Sequence, residues 1–266
     1  MNHEIIQLRT GAMAMRDNRV GEVMHPVGPL IEAQSLYVEQ SKLRERLLSS
    51  TRPLVLFDIG LGAGSNAAAA RDVSESLSQD VAPLEIVSFE NDLESLELAL
   101  GHPKDFGLEG ETGAAARELL LKGEHQSART KWSLRKGDVL ELLPKEEKQA
   151  DIFYWDMYSP EDHPIFWTIE AFRKARRVAS SRATLFTYSA STRIRIAMLL
   201  SGWNAGLGAS TGTKRDTTVA AAHLQDLATP LDLKWRTKVR HPDVPLPTDA
   251  PANFVELVEA HPQFQS

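Results

Sequence analysis

The stretch LVLFDIGLGAGSN, Leu54 to Asn66, sets an apolar run, an acid and three glycines in close order. Its first six residues have the length and branched, aromatic content of a strand buried on both faces. Gly60, Gly62 and Gly64 follow at once, and an Ala-rich helix is expected from Ser65 to about Leu77. Glycine permits positive φ and lets the backbone approach a ligand, while a helix N-terminus offers free N–H groups. The turn is therefore of the nucleotide-holding kind, and its spacing narrows the ligand. A dinucleotide turn wants G-x-G-x-x-G, but here the third glycine comes one residue early and Ser65 takes its place.

Working outward, apolar strands are predicted at EIVSFE (85–90), WSLRKG (132–137), DIFYWD (151–156), ATLFTY (183–188) and Thr217–His223. Helical spacing falls between them: one helix face over 30–48, a helix through Leu93, Leu96 and Leu100, and others over 165–178 and 192–200. Residues 101–130 read as a polar, Gly-dotted insertion with one helix near 114–122. Such alternation predicts an α/β fold with a mostly parallel, seven-stranded sheet and helices on both faces. Residues 1–49 read as an N-terminal extension and helix packed on the core, 50–228 as the ligand-binding domain, and 229–266 as a C-terminal tail. The tail carries Pro245, Pro247, Pro251 and Pro262 and is expected to be irregular, packed over the surface or partly loose.

Two further acids stand where a nucleoside needs them. Glu90 ends the second core strand, where a carboxylate can accept both ribose hydroxyls; Asp138 follows the third and can meet an adenine amine, with Val139 beside the ring. Any one acid alone reads as a polar strand end. The ordered set Asp58, Glu90 and Asp138 behind three consecutive strands reads as a nucleoside site.

The 266 residues, 42% apolar and 25% charged, have the composition of a soluble globular protein. No apolar run is long enough to span a bilayer, and Glu4 and Arg9 interrupt any secretory pattern, so a cytoplasmic protein is expected. Cysteine is absent, which excludes disulfides, thiolate metal sites and cysteine nucleophiles. The histidines lack metal-ligand spacing, and neither a G-x-S-x-G elbow nor a P-loop lysine occurs, so no metal is expected. The net charge is −6, yet residues 171–215 contain no acid and nine basic residues. That stretch suits a polyanion, and equally a solvated face balanced by acids folded nearby.

Asp58 two residues ahead of G-x-G-x-G resembles motif one of the class I, S-adenosylmethionine-dependent methyltransferases. The resemblance narrows to the MnmC-type methyltransferases, which complete 5-methylaminomethyl-2-thiouridine at the tRNA wobble position, and above all to their stand-alone relatives without a flavin domain. The family's D-x-G-F/L-G-x-G-x-N is matched by Asp58 to Asn66, and its Phe-Glu strand end by Phe89-Glu90. Its G-D-V-x-E-L-L-P is matched by Gly137–Pro144, and its D-x-F-S/A-P with a following tryptophan by Asp156, Tyr158, Ser159, Pro160 and Trp167. A glycine–lysine–arginine loop resembles Gly212 to Arg215, and GEVMHPVGPLIEA (21–33) resembles G-E-x-Y-H-S-x-x-G-A-x-x-E-A. Coverage runs from about residue 8 to 224. Met24, Pro26, Tyr158 and Thr217 depart from the pattern, mostly where substrate would be met.

The resemblance implies a Rossmann-like fold with S-adenosylmethionine held by Asp58, Gly60, Gly62, Gly64, Asn66, Glu90, Asp138, Val139 and Asp156. It implies Asp156 as the catalytic residue, and Glu32, Tyr158, Trp167, Lys214 and Arg215 as substrate contacts, with Phe166 in the core. The implied partner is the anticodon region of tRNA. No FAD is implied on this chain, so either a separate flavin-dependent enzyme would supply the aminomethyl group or the substrate would arrive already in that form. Two alternatives stay open: methylation of a small molecule, and a silent S-adenosylmethionine-binding interaction protein. A nicotinamide oxidoreductase is disfavoured by the glycine spacing.

Overall fold

The computed structural model describes residues 2–78, 80–210 and 216–265. Eleven strands are present among them: β1 (His3–Gln7), β2 (Met13–Asp17), β3 (Glu22–Met24), β4 (Leu54–Ile59), β5 (Leu84–Glu90), β6 (Glu124–Gln126), β7 (Thr130–Lys136), β8 (Ala150–Trp155), β9 (Ala179–Thr187), β10 (Asn204–Leu207) and β11 (Thr218–Ala221). The α-helices are α1 (Pro29–Glu32), α2 (Leu43–Ser49), α3 (Ser65–Glu75), α4 (Glu94–Ala99), α5 (Pro103–Phe106), α6 (Gly110–Lys122), α7 (Val139–Leu142), α8 (Ile169–Arg177), α9 (Thr192–Leu200), α10 (Leu233–Arg236) and α11 (Phe254–Glu259).

Strands β1–β3 form an antiparallel sheet of their own, and the other eight pair in the order β10-β11-β9-β8-β4-β5-β7-β6. The four central pairings, among β7, β5, β4, β8 and β9, are parallel; the edges are antiparallel. Period two along each central strand supplies two cores. Phe57, Ile59, Phe153 and Trp155 pack on one face with α8, α9 and the C-terminal residues. Leu54, Leu56, Ile152 and Tyr154 pack on the other with α2, α3 and α6.

The expected class is present, with differences that have physical reasons. The sheet has eight strands rather than seven, because the polar, largely exposed β6 adds to β7 at the edge. The helix expected over 30–48 is three pieces: α1, a π-helix at Ala33–Glu39, and α2, which restarts after Lys42 at a left-handed φ of 52°. The helix expected over 165–178 begins as a 3₁₀ turn, Pro164–Trp167, and α8 starts only where the Thr168 hydroxyl accepts the Ala171 N–H at 3.1 Å. The tail is irregular over 241–253, yet its last residues are docked on the core. Val258 and Phe264 are buried in the core, and the Gln263 amide bonds both the N–H and C=O of Ala205 in β10.

Candidate functional site

A cavity of about 410 Å³ opens beyond the carboxyl ends of β4, β5 and β8. The strand order turns back here, which is where open α/β sheets place their ligands. Gly60 and Gly62 line it after β4, Glu90 from β5, Asp156 and Met157 after β8, and residues 22–27 from β3 and the turn behind it. Gly60, Gly62 and Gly64 all take left-handed φ, at 86°, 50° and 86°. A Cβ on Gly60 would stand 2.6 Å from the Asp156 carbonyl oxygen, so a side chain there would prise β4 from β8. At Gly62 the nearest atom to such a Cβ is Met24 Sδ at 3.7 Å, so this backbone borders open space. The Gly62 N–H donates to the Glu90 carboxylate at 3.0 Å, which also accepts from the N–H groups of Asn91 (2.8 Å) and Asp92 (3.1 Å). Burial raises the pKa of Glu90 against these three donors.

Asp156 is tied to the sheet by its N–H, which donates to Ile59 O at 2.9 Å. Its Oδ2 accepts from Asn66 Nδ2 at 2.6 Å and lies 3.6 Å from His25 Nε2. The other ring nitrogen of His25 lies 3.6 Å from Glu32 Oε2, while Glu32 Oε1 accepts the Val27 N–H at 2.8 Å. A line of Glu32, His25 and Asp156 thus runs along one wall of the cavity. Burial by itself would push the His25 imidazole down, but Asp156 and Glu32 outweigh it and raise it to about 9. Burial raises Asp156, opposed by His25, Tyr37 and Asn66.

The cavity wall is acidic overall. Asp17, Glu22, Glu32, Glu90, Asp92 and Asp156 face Arg19, His25 and His163. Arg19 is already spent on Asp17 at 2.7 Å and Asp92 at 3.1 Å. Glu22 accepts the Ser159 N–H at 2.9 Å, and its burial pushes it up to about 7. Such a wall suits a ligand carrying positive charge.

Several residues expected at the site are placed elsewhere. Asp58 is buried beneath the turn rather than on the wall; the Ser88 hydroxyl donates to it at 2.7 Å, and burial raises it to about 7. Gly64 packs against Leu96, and Asn66 reaches the site only through Asp156. Asp138 caps α7 by accepting the Leu140 N–H at 2.8 Å, and Val139 is buried in the core; neither forms part of the wall. Trp167 is also core, its Nε1 donating to Tyr158 O at 2.7 Å, whereas Phe166 lines the cavity, the reverse of the expectation. Tyr158 and Glu32 are on the wall as expected. Lys214 and Arg215 lie outside the described residues.

The charge asymmetry also resolves. Arg173 and Arg177 pair with Glu170, Arg182 with Asp226, Arg193 with Glu161 and Arg195 with Asp216. Acids outside 171–215 thus pair with five of its nine basic residues, while Lys174 and Arg176 donate to the backbone carbonyls of Leu140 and Gly202. His25, Tyr37 and Glu22 were not expected at the site; His25 and Glu22 lie inside the 21–33 motif, which is the sequence signal that marks them.

Residues 115–223 match a family described as S-adenosyl-L-methionine-dependent methyltransferase. The tRNA 5-methylaminomethyl-2-thiouridine biosynthesis bifunctional protein MnmC of Ralstonia nicotianae is 30% identical over 194 residues, which covers 70% of this chain and 28% of that protein. The protein of the same name from Methylibium petroleiphilum is 29% identical over 222 residues, covering 81% and 34%. The chain thus spans about a third of the length of the curated relatives it matches. The crystal structure of MnmC2 from Aquifex aeolicus aligns over 96% of this chain and 82% of its own, with a TM-score of 0.73 at 23% identity. A spermidine synthase from Thermotoga maritima aligns over 92% and 76%, with a TM-score of 0.53 at 13% identity. These two likenesses establish the fold. Glycine turn, family match and sequence relatives agree on an S-adenosyl-L-methionine-dependent methyltransferase domain that is MnmC-like.

Proposed function

We propose that this protein transfers a methyl group from S-adenosylmethionine to the aminomethyl nitrogen of a 5-aminomethyl(-2-thio)uridine at the tRNA wobble position. The observation that carries this reading is the place of Asp156, beside the glycine turn and on the wall of a cavity rich in carboxylates. An amine acceptor is cationic in water, and an acidic wall collects it. The names of the MnmC relatives point to the tRNA base.

The residues present fit the cofactor. Gly62 borders the open space with bare backbone, Gly60 lines the cavity while packed against Asp156, and Glu90 has acceptor capacity left for ribose hydroxyls beside its three N–H donors. Asp58 supports the turn from below, and Asp138 and Val139 act only through α7. S-adenosylmethionine held there would supply an electrophilic methyl carbon to the amine, with the C–S electron pair left on sulfur. Asp156 is the group that accepts the proton the ammonium must lose before attack. Glu32 and Tyr158 bound the acceptor's space, and Phe166 takes the stacking role expected of Trp167.

With Arg173, Arg177, Arg182, Arg193 and Arg195 already paired to acids, tRNA affinity should be modest and salt-sensitive. The protein would work in the cytoplasm, with a separate flavin enzyme or another route supplying the aminomethyl group. A small cationic amine is the second reading, favoured by the acidic wall. Mass spectrometry of wobble nucleosides from cells lacking this protein separates the two. The aminomethyl form should accumulate and the methylaminomethyl form should vanish; an unchanged nucleoside profile would favour the small amine.

A further inference from the structure

The turn Met24-His25-Pro26 puts a basic side chain into a wall of acids, and it does so at a backbone cost. His25 has φ 55°, one of two non-glycine residues with positive φ among those described. Residues other than glycine adopt this region rarely, and histidine, asparagine and aspartate are those that do so most readily. The turn is braced from behind, since Glu32 accepts the Val27 N–H and faces the His25 ring. The opposite edge of the ring faces the same Asp156 oxygen that Asn66 holds.

We propose that His25 is a positioning residue of the methyl-transfer site, fixing the orientation and the ionised state of Asp156 from a turn braced by Glu32. The inference rests on the reading of Asp156 given above. The physical need is plain from the neighbours. Asp156 is buried with Glu32 and Asp58 nearby, with the uncharged hydroxyls of Tyr37 and Tyr188 beside it. Without a cation in this group, burial and the other two carboxyls drive Asp156 toward its protonated form, which cannot accept a proton from the acceptor. His25 is the basic side chain that contacts both Asp156 and Glu32. Its own raised pKa, about 9, is the reciprocal of that contact.

Two measurements test this. In the first, the His25 imidazole is titrated by NMR in the wild-type protein and in Asp156→Asn, with no acceptor present. The wild-type ring should titrate near 9 and the variant ring nearer its ordinary 6.5. The same titration in both proteins would overturn the proposal. In the second, His25→Asn keeps a residue suited to left-handed φ and a short amide that can still reach Glu32, but it cannot span to Asp156. S-adenosylhomocysteine should bind with unchanged affinity, kcat should fall about tenfold, and the acid limb of the kcat–pH profile should move to higher pH. A fall in affinity and kcat with an unmoved acid limb would reduce His25 to a structural role. If tRNA takes no methyl group while the first measurement shows the expected coupling, the acceptor reading fails and the role of His25 stands.

Discussion

Asp156 shares one carboxylate oxygen between Asn66 and His25, so its two substitutable properties, shape and charge, separate cleanly. Asp156→Asn keeps the shape and loses the charge that takes a proton. Turnover should fall by ~10²-fold or more while the melting temperature stays close to wild type; near-normal turnover would make Asp156 a structural residue. Gly62→Val adds a branched side chain at φ 50° where the backbone borders the cavity, so the variant should lose the stabilisation that S-adenosylmethionine gives the wild type. A full ligand-induced rise in melting temperature would remove the glycine turn from the cofactor site. Gly62 was legible in the sequence because the glycine spacing is local, and Asp156 through the family motif that it resembles. Trp167 and Phe166 were not, because they sit on a 3₁₀ turn where neighbours point about 120° apart, and no periodicity says which of the two faces in. Asp138 shows the limit of order along the chain: it follows its strand as expected, yet its carboxylate is used to start a helix.

Among the elements, the long apolar strands and α9 were readable, while β6 and β10 were not. Glu-His-Gln and Asn-Ala-Gly-Leu are too short and too polar or small for an alternation to show. What holds β10 comes from the far end of the chain. Gln263 Oε1 accepts the Ala205 N–H at 2.8 Å, and its Nε2 donates to Ala205 O at 2.7 Å and Leu231 O at 2.9 Å. Gln263→Ala strips the Ala205 N–H and Leu231 O of these partners, while Ala205 O keeps the Leu231 N–H, and should destabilise the fold by ~2–3 kcal/mol, given ~1–3 kcal/mol for a buried unsatisfied group. An unchanged denaturation midpoint would mean that the tail contributes nothing to the sheet. The three-stranded sheet β1–β3 was read only as part of an N-terminal extension, and nothing in that reading brings the turn after β3, with His25, to Asp156.

For the molecule as a whole, the buried charges give stability a definite pH slope. His25 is raised to about 9, so its contribution is complete below 6.5 and is lost as pH rises toward 9. Asp58 and Glu22 are raised to about 7, so folding is disfavoured as pH climbs from the ordinary carboxylate range through 7. All three act in the same direction, and the melting temperature of the ligand-free protein should be lower at about pH 9 than at about pH 6. A higher value at pH 9 would contradict the burial assigned to them. The α/β class was open to a sequence reading because strand–helix alternation is a whole-chain pattern. Whether the arginines of 171–215 meet acids or a polyanion stayed open, since Glu161, Asp216 and Asp226, the partners of Arg193, Arg195 and Arg182, lie outside that stretch. The most direct test of the central claim uses purified protein, methyl-labelled S-adenosylmethionine and tRNA from cells unable to complete the wobble modification. Label should enter the wobble uridine, and Asp156→Asn should abolish nearly all of it. Undermodified tRNA that takes no label, while a small amine does, would contradict the tRNA assignment.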